Sequence, residues 1–498
     1  MKKHLSSLFL RKTENWQFWV LFTIVIKGFF FCYILYHVKV HDFLGFISNL
    51  SPDSISYLEP IENFVTKGDY LPDHRMPGYG IIYLPLFILF KKSVALNILI
   101  TLQFFTASIS VYILALVSKY LFRSDRYFYT VFYMFLLSAY SNFYDHNVLT
   151  ESFTCSFLIF ATYFFLRAIF QKRNIFYLIS GSFITGVIFL RPVFFPLLFL
   201  FLAVLFFTNL SKCKNSIFAI FLYLLPILIA ESFWMSHNYI KHKRIQLLMN
   251  SFLFGKENEN YYRPCLEFCQ SWGGNYIWWR SGNPIRWFGV GVNETGDSLI
   301  HLIQKEKINI PNYIYTSKFN EDSLIRLRNL ISDIKINGSF PWDNAREAEE
   351  KYVKNKFNQY TQSIQKEKPF IYYIKSKIIY CKYFFLTTIE NNPFANSKNK
   401  LKIIIDQVNK IYYYLILISG IIGLVFLIKK LQKNKNISIL VGIVLYTIII
   451  HPLFLRIIEN RYLRPAFPFL ILASAYFIIT ILDYLKRKSH FRITKLGA

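Results

Sequence analysis

The chain has 498 residues, of which 54% are hydrophobic and 17% charged, and its formal net charge is +28. Soluble domains carry about 25% charged residues, so the composition argues against an ordinary soluble protein. The basic residues lie at the ends of apolar runs, which is the topology signal of membrane proteins and argues against nucleic acid as a partner.

Apolar runs of roughly 20 residues recur along the chain and are long enough to cross a ~30 Å hydrocarbon core as helices. They lack the period-2 alternation of barrel strands. The pattern therefore predicts an all-α polytopic helix bundle of about ten spans. The predicted spans are 17–38, 94–118, 128–144, 152–170, 175–190, 193–208, 215–236, 411–428, 437–456 and 462–485.

A further apolar run at 77–90 has about 14 residues, which is short for a span and predicts an interfacial or re-entrant helix. If this run does not cross, Lys and Arg concentrate on one side of the membrane, as the positive-inside rule requires. We therefore expect an inner (plasma) membrane protein with both termini in the cytoplasm. The first loop, 39–93, then faces outward.

The same topology predicts three modules. Residues 1–236 form an N-terminal membrane module, 237–410 an extracytoplasmic segment of mixed structure, and 411–498 a C-terminal membrane module. Residues 370–389 alternate aromatic and basic side chains, which favours a helix lying on the membrane surface over an eleventh span.

The first outward loop contains the acidic stretch SPDSISYLEPIENFVTKGDYLPDHRMPGYG. Asp53 closely follows the first span, and a carboxylate at the membrane face can act as general base for an acceptor hydroxyl or amine. A solvated acidic loop is the alternative.

A second corner, DHNVLTESF, places Thr150 and Glu151 at the start of the fourth span. Helix capping is the alternative there.

Two corners carry arginine beside apolar runs. Arg191 lies in LRPVFFP, and Arg461 and Arg464 lie in ENRYLRPAFP. These guanidinium groups either bind lipid headgroups by snorkelling or recognise a phosphate at the outer leaflet. Lys27 lies near the middle of the first span, where a cation is a functional candidate. No partner for Lys27 can be identified, so it is left out of the predicted site.

Together the loop PDS..Y…HRMPGYG, the LTESF entry, the FLRP turn and the closing RYLRPAFP resemble the lipid-carrier-dependent glycosyltransferases of the GT-C class. The likeness is to the bacterial relatives of protein O-mannosyltransferases and of the lipid A aminoarabinose transferase. The resemblance implies a catalytic acid at Asp53 and a second cavity-lining acid at Glu151. It also implies that Arg191 and Arg461, with Arg464, hold the carrier phosphate.

One departure from the family concerns the start of the re-entrant helix. Met76-Pro77-Gly78-Tyr79 stands where the family often has Pro-Pro or Pro-Glu. The charged side chain found there in the family is thus absent or displaced to His74 or Arg75. These two residues and Tyr57 of the PDS..Y motif are the remaining candidates for substrate binding.

The resemblance implies transfer of one sugar, with inversion, from a polyprenyl-phosphate donor to a glycan, lipid or protein on the outer face of the membrane. Lipopolysaccharide and protein glycosylation are the expected settings. No metal or other cofactor is expected, because arginine can neutralise a single phosphate and no metal-ligand spacing stands out. A lipid-linked-sugar flippase and an O-antigen-type polymerase are the alternatives.

Overall fold

The structure is a computed structural model, and most of the chain is described. The described residues are 13, 15–37, 47–48, 50, 52–72, 75–209, 213–243, 245–248, 260–275, 282–291, 308, 310–337, 344–386, 399–432, 434–457 and 459–496.

The described residues fold almost entirely into helices. In the first half they are α1 (Trp16–His37), α2 (Pro52–Lys67), α3 (Gly78–Leu89), α4 (Lys92–Phe122), α5 (Asp125–Leu136), α6 (Ala139–Asn142), α7 (Glu151–Gln171), α8 (Ile175–Leu190), α9 (Phe195–Asn209) and α10 (Cys213–His242). In the second half they are α11 (Tyr262–Trp272), α12 (Pro284–Trp287), α13 (Glu321–Asn337), α14 (Asn344–Glu367), α15 (Ser376–Leu386), α16 (Lys400–Lys430), α17 (Ile437–Ile449) and α18 (Phe467–Leu496).

The predicted all-α polytopic fold is confirmed. Seven helices of the described chain are long and apolar enough to cross a membrane. They are Trp16–Tyr36, Lys92–Phe122, Glu151–Gln171, Ile217–His242, Lys400–Lys430, Ile437–Phe454 and Asn460–Lys488. The predicted spans 175–190 and 193–208 correspond to shorter apolar helices, Ile175–Leu190 and Pro192–Thr208.

The predicted span 128–144 is wrong as one continuous helix. Helix α5 has 12 residues and ends at Leu136. The Asn142 side chain donates to the Leu136 carbonyl at 3.0 Å. A side-chain amide therefore bonds this carbonyl in place of the backbone N–H of a following helical turn. The chain therefore leaves α5 at Leu136 and continues as the short helix α6.

The chain divides into two compact units. Unit 1 contains Met1–Met249, Ile389–Thr447 and Leu463–Ala498, and unit 2 contains Asn250–Thr388 and Ile448–Tyr462. In unit 1, α7 packs against α4 and α8, and α16 packs against α18. The charged corners lie at the ends of these long apolar helices.

Helix α3 reaches the end of α8 through a close backbone approach. A side chain at Gly78 would collide with the backbone of Phe189 and Leu190, so glycine is required there. At 1.5 Å per residue, the 12 residues of α3 extend about 18 Å, short of the ~30 Å hydrocarbon core. The first loop is thereby brought next to Arg191, which follows α8 directly.

Unit 2 has its own aromatic core. Phe268, Phe288, Phe319, Phe357 and Tyr360 are buried against one another. The segment 237–410 was expected to have mixed structure. Its described regular elements are helices joined by turns and loops, with an isolated antiparallel bridge from Thr316 to Phe319.

Candidate active site

Two of the predicted site residues form a buried ion pair in unit 1. Glu151 begins α7, and Arg191 follows α8. Arg191 Nη2 lies 2.5 Å from Glu151 Oε1, and Arg191 Nε donates to Thr150 Oγ1 at 2.9 Å. Only 1% of the Glu151 side chain is exposed, so its charge depends on this arginine for compensation.

The segment 143–150, which we call the corner, joins α6 to α7 and leads into Glu151. Gln103 of α4 is fully buried beneath it. Its Nε2 donates to the carbonyls of Tyr144, Asp145 and Asn147 at 3.1, 3.0 and 2.9 Å. Buried carbonyl groups need such donors, so one amide side chain holds the corner in place.

Replacing Gln103 by Met is expected to lower the free energy of unfolding by about 1–3 kcal/mol, since buried carbonyls then lack a donor. Hydrogen exchange of the 143–150 peptide should rise in parallel. Thermal denaturation and exchange mass spectrometry in detergent measure the two effects. The matched control is Ser108→Ala on the same helix, because buried Ser108 donates to the Phe104 carbonyl of its own helix. Equal exchange in both variants would contradict the role of Gln103.

Lys27, which had no identifiable partner in the sequence, pairs with Asp145 of the corner. Lys27 Nζ lies 2.7 Å from Asp145 Oδ2, and both side chains are buried. Ser152 Oγ donates to Asp145 Oδ1 at 2.7 Å. The sequence reasoning missed Asp145 although it begins the DHN stretch next to the predicted acid Glu151. An intramembrane cation that needs a counter-charge was the available signal.

Arg464 enters the same region from the start of the last membrane helix. Its guanidinium donates to the Tyr140 carbonyl and lies over the rings of Tyr140 and Tyr144, at 4.4 and 3.3 Å. No carboxylate of the described residues forms an ion pair with it. Arg464 thus contrasts with Arg191, which Glu151 neutralises.

These groups surround a small cavity of about 20 Å³, enough for one water molecule. Its charged lining residues are Lys27, Asp145, Glu151 and Arg464. With Arg191, the cluster holds three cations and two carboxylates. Neighbouring His146 adds no charge at pH 7, because burial, and then Arg464, lower its pKa to about 4. The buried cluster therefore carries an excess of one positive charge.

Asp53 belongs to a second cluster, at the start of α2. Its carboxylate is 34% exposed and lies 3.4 Å from Arg75 Nη2. Arg75 also donates to Ser56 Oγ at 3.1 Å and to the Tyr57 hydroxyl at 2.9 Å. A carboxylate in the first helical turn is favoured by the helix dipole. Asp53, Tyr57 and Arg75, three predicted site residues, are thus brought together.

The two clusters adjoin. Ser54 Oγ, next to Asp53, donates to the Val148 carbonyl of the corner at 2.7 Å. The Tyr57 ring lies 5.7 Å from the ring of Tyr79, whose hydroxyl donates to Gln103 Oε1 at 3.4 Å. A half-exposed acid therefore stands beside a buried, net-positive cluster.

Two further predicted residues are His74 and Arg461. His74 lies outside the described residues. Arg461 belongs to unit 2, where its Nε lies 2.5 Å from Glu459 Oε2. The described residues contain no group of three or more His, Cys, Asp or Glu placed to hold a metal ion. The absence of a metal from the reaction stays a prediction.

No protein-family model and no curated protein matches this chain. The apo oligosaccharyltransferase of Archaeoglobus fulgidus is similar in structure, with a TM-score of 0.46 and 12% identity. The similarity covers 97% of this chain and 53% of that one. The oligosaccharyltransferase AglB from Archaeoglobus fulgidus, in complex with an inhibitory peptide and a dolichol-phosphate, gives 0.45 and 13% over 96% and 52%. The chain thus spans about half the length of these structures, and at these values the likeness assigns no function.

Proposed function

We propose that the chain is a membrane glycosyltransferase that moves one sugar from a polyprenyl-phosphate donor to a glycan, lipid or protein acceptor at the outer face of the membrane. The observation that carries the proposal is the pairing of two clusters in unit 1. Half-exposed Asp53 lies beside a buried group with one uncompensated cation. Sugar transfer from a lipid phosphate needs both a proton acceptor and a cation.

The proposed reaction is a direct, inverting displacement. Asp53 accepts the proton of the acceptor hydroxyl or amine as that atom bonds to the anomeric carbon. The bond between the anomeric carbon and the phosphate oxygen breaks, and its electron pair leaves with the polyprenyl phosphate. Negative charge then grows on the phosphate, where preorganised guanidinium groups stabilise it most.

Arg191 and Arg464 differ in their ion pairs, and we infer a different role for each. Arg191 is held by Glu151 and Thr150, so it fits best as the residue that orients Glu151 and supplies its counter-charge. Arg464 forms no ion pair with a carboxylate of the described residues, and it lines the same cavity as Glu151. We therefore infer that Arg464 is the first contact of the carrier phosphate. Arg461 stays a candidate for the same role by family resemblance alone.

The decisive experiment is transfer by the purified chain in detergent. Candidate polyprenyl-phosphate sugars and acceptors are first found by mass spectrometry of cell-envelope glycans and lipids with and without the protein. A transferase forms product in detergent, where no compartments exist. A flippase forms none, and a polymerase extends an existing glycan chain instead of adding one sugar. Absence of single-sugar product with every donor altered in those cells would contradict the proposal.

Arg464→Ala is expected to weaken donor binding by about tenfold to a hundredfold, the loss of one charge-assisted hydrogen bond. Arg464→Lys should recover part of the affinity, because lysine keeps the charge but lacks the planar fork. Titration of the purified variants with polyprenyl phosphate gives the dissociation constants. Arg126→Ala is the matched control, since exposed Arg126 pairs with Asp483 at 2.9 Å. Unchanged affinity in a folded Arg464→Ala variant would remove Arg464 from the phosphate site, and Arg461→Ala is then tested.

A further inference from the structure

Helix α15 and the π-helical turn before it, Ile371–Lys375, carry an exposed apolar face in unit 2. Phe370, Tyr373, Ile374 and Ile378 are exposed, with Phe370 at 65% and Ile378 at 61%. Their spacing of i, i+3, i+4 and i+8 places them on one side of the helix. A contiguous exposed apolar face of this kind marks an interaction surface.

The opposite side of this helix is fixed to the interior of unit 2. The Tyr380 hydroxyl donates to the carbonyls of Cys269 and Gly274, at 3.4 and 3.2 Å. Phe384 is buried and its ring stacks on that of His451 at 6.0 Å. The orientation of α15 is therefore set by core contacts, and the apolar face points outward as a consequence.

Helix α15 packs against the last turn of a helix long enough to cross a membrane. That helix is Ile437–Phe454, and its final residues, Ile450–Phe454, belong to unit 2. Lys377 Nζ donates to the Leu453 carbonyl. Phe454 itself is exposed. Since a span ends where the hydrocarbon core ends, these contacts place α15 at the depth of the lipid headgroups.

The charge of the segment matches such a surface. From Lys368 to Leu386 the sequence has four lysines and no Asp or Glu. Lys382 is exposed beside the apolar face. Lys375 and Lys377 are engaged within unit 2, by the Tyr313 ring at 3.2 Å and by the Leu453 carbonyl. Lys382 is the lysine placed to extend its ammonium group to a lipid phosphate while its stem covers apolar surface. Anionic headgroups attract such basic segments.

We propose that the face of Phe370, Tyr373, Ile374 and Ile378 is inserted in the headgroup region of an anionic bilayer. The occupant is lipid because the face combines apolar side chains, flanking lysines and contact with the end of a span.

The test is photocrosslinking from the full chain in nanodiscs of phosphatidylglycerol and phosphatidylcholine. Benzoylphenylalanine replaces Ile378 in one variant and Tyr352 in the other, because Tyr352 is also exposed but lies on the polar helix α14. After irradiation, mass spectrometry of the intact chain should find phospholipid adducts at position 378 and none above background at 352. Equal yields at both positions, or a crosslink from 378 to a second copy of the chain, would overturn the inference.

A charge variant tests the lipid class. Lys382→Glu, added to the variant with benzoylphenylalanine at position 378, should lower the ratio of phosphatidylglycerol to phosphatidylcholine adducts by about fivefold. Lys351→Glu on α14 is the control and should leave the ratio unchanged. A ratio that does not respond to Lys382→Glu would show that the face does not select anionic lipid.

Discussion

Replacing Asp53 by Asn is expected to lower the rate of sugar transfer by about 10²–10⁴-fold, the usual contribution of a general base. Asn keeps the shape of the side chain and can still accept a hydrogen bond from Arg75, which lies 3.4 Å away. It cannot take up the proton of the acceptor. Because the backbone of Asp53 is held by α2 and by the bond from Ser54 to the corner, the variant should fold and bind donor normally.

The control for Asp53→Asn comes from the same helix. Glu59 is exposed, so Glu59→Gln should leave transfer nearly unchanged. Glu62 is less suitable, because it pairs with Lys92 at 2.8 Å and accepts from the Tyr83 hydroxyl. Single-turnover rates and donor affinity are measured for each purified variant. Near-normal turnover by Asp53→Asn would exclude it as the base. A Glu151→Gln variant that is folded but inactive would then move that role to the corner.

The second large effect is expected from breaking the ion pair of Arg191 and Glu151. Arg191→Met should lower the free energy of unfolding by about 3–5 kcal/mol, because it leaves the Glu151 carboxylate buried without its counter-charge. Glu151→Gln should be costly for the converse reason. In the double variant Glu151→Gln/Arg191→Met both charges of the pair are removed together, so its loss should be much smaller than the sum of the single losses.

A double-mutant cycle measures this coupling directly. The unfolding of all four proteins is followed in one detergent, and the coupling energy is the departure from additivity. Arg126→Met with Asp483→Asn provides a matched exposed pair, at 2.9 Å, whose coupling should be within about 0–1 kcal/mol. If the Arg191–Glu151 cycle gives a coupling as small as that of the exposed pair, Arg191 does not neutralise Glu151 and returns to the set of phosphate candidates.

The hydropathy of the sequence was sufficient to predict the membrane bundle. Each apolar residue contributes its own free energy of transfer into lipid, whatever its neighbours in space are. Apolar runs in the sequence therefore predict membrane helices, and the run 94–118 corresponds to the helix Lys92–Phe122. The same reasoning located charges at the ends of spans, where they cost least, and so singled out Asp53, Glu151, Arg191 and Arg464. The continuous span at 128–144 was wrong, because the Asn142 amide ends α5 through a side-chain bond that average hydropathy does not register.

Which charges compensate one another was decided only by the tertiary structure. Lys27 and Asp145 are 118 residues apart in sequence but 2.7 Å apart in space. Gln103, neither charged nor part of a motif, holds the carbonyls of the corner. Arg191 and Arg464 look alike in sequence, yet one is neutralised by Glu151 and the other is not. Hydropathy acts residue by residue, whereas an ion pair or a shared hydrogen bond requires two helices to be packed at a particular distance and rotation.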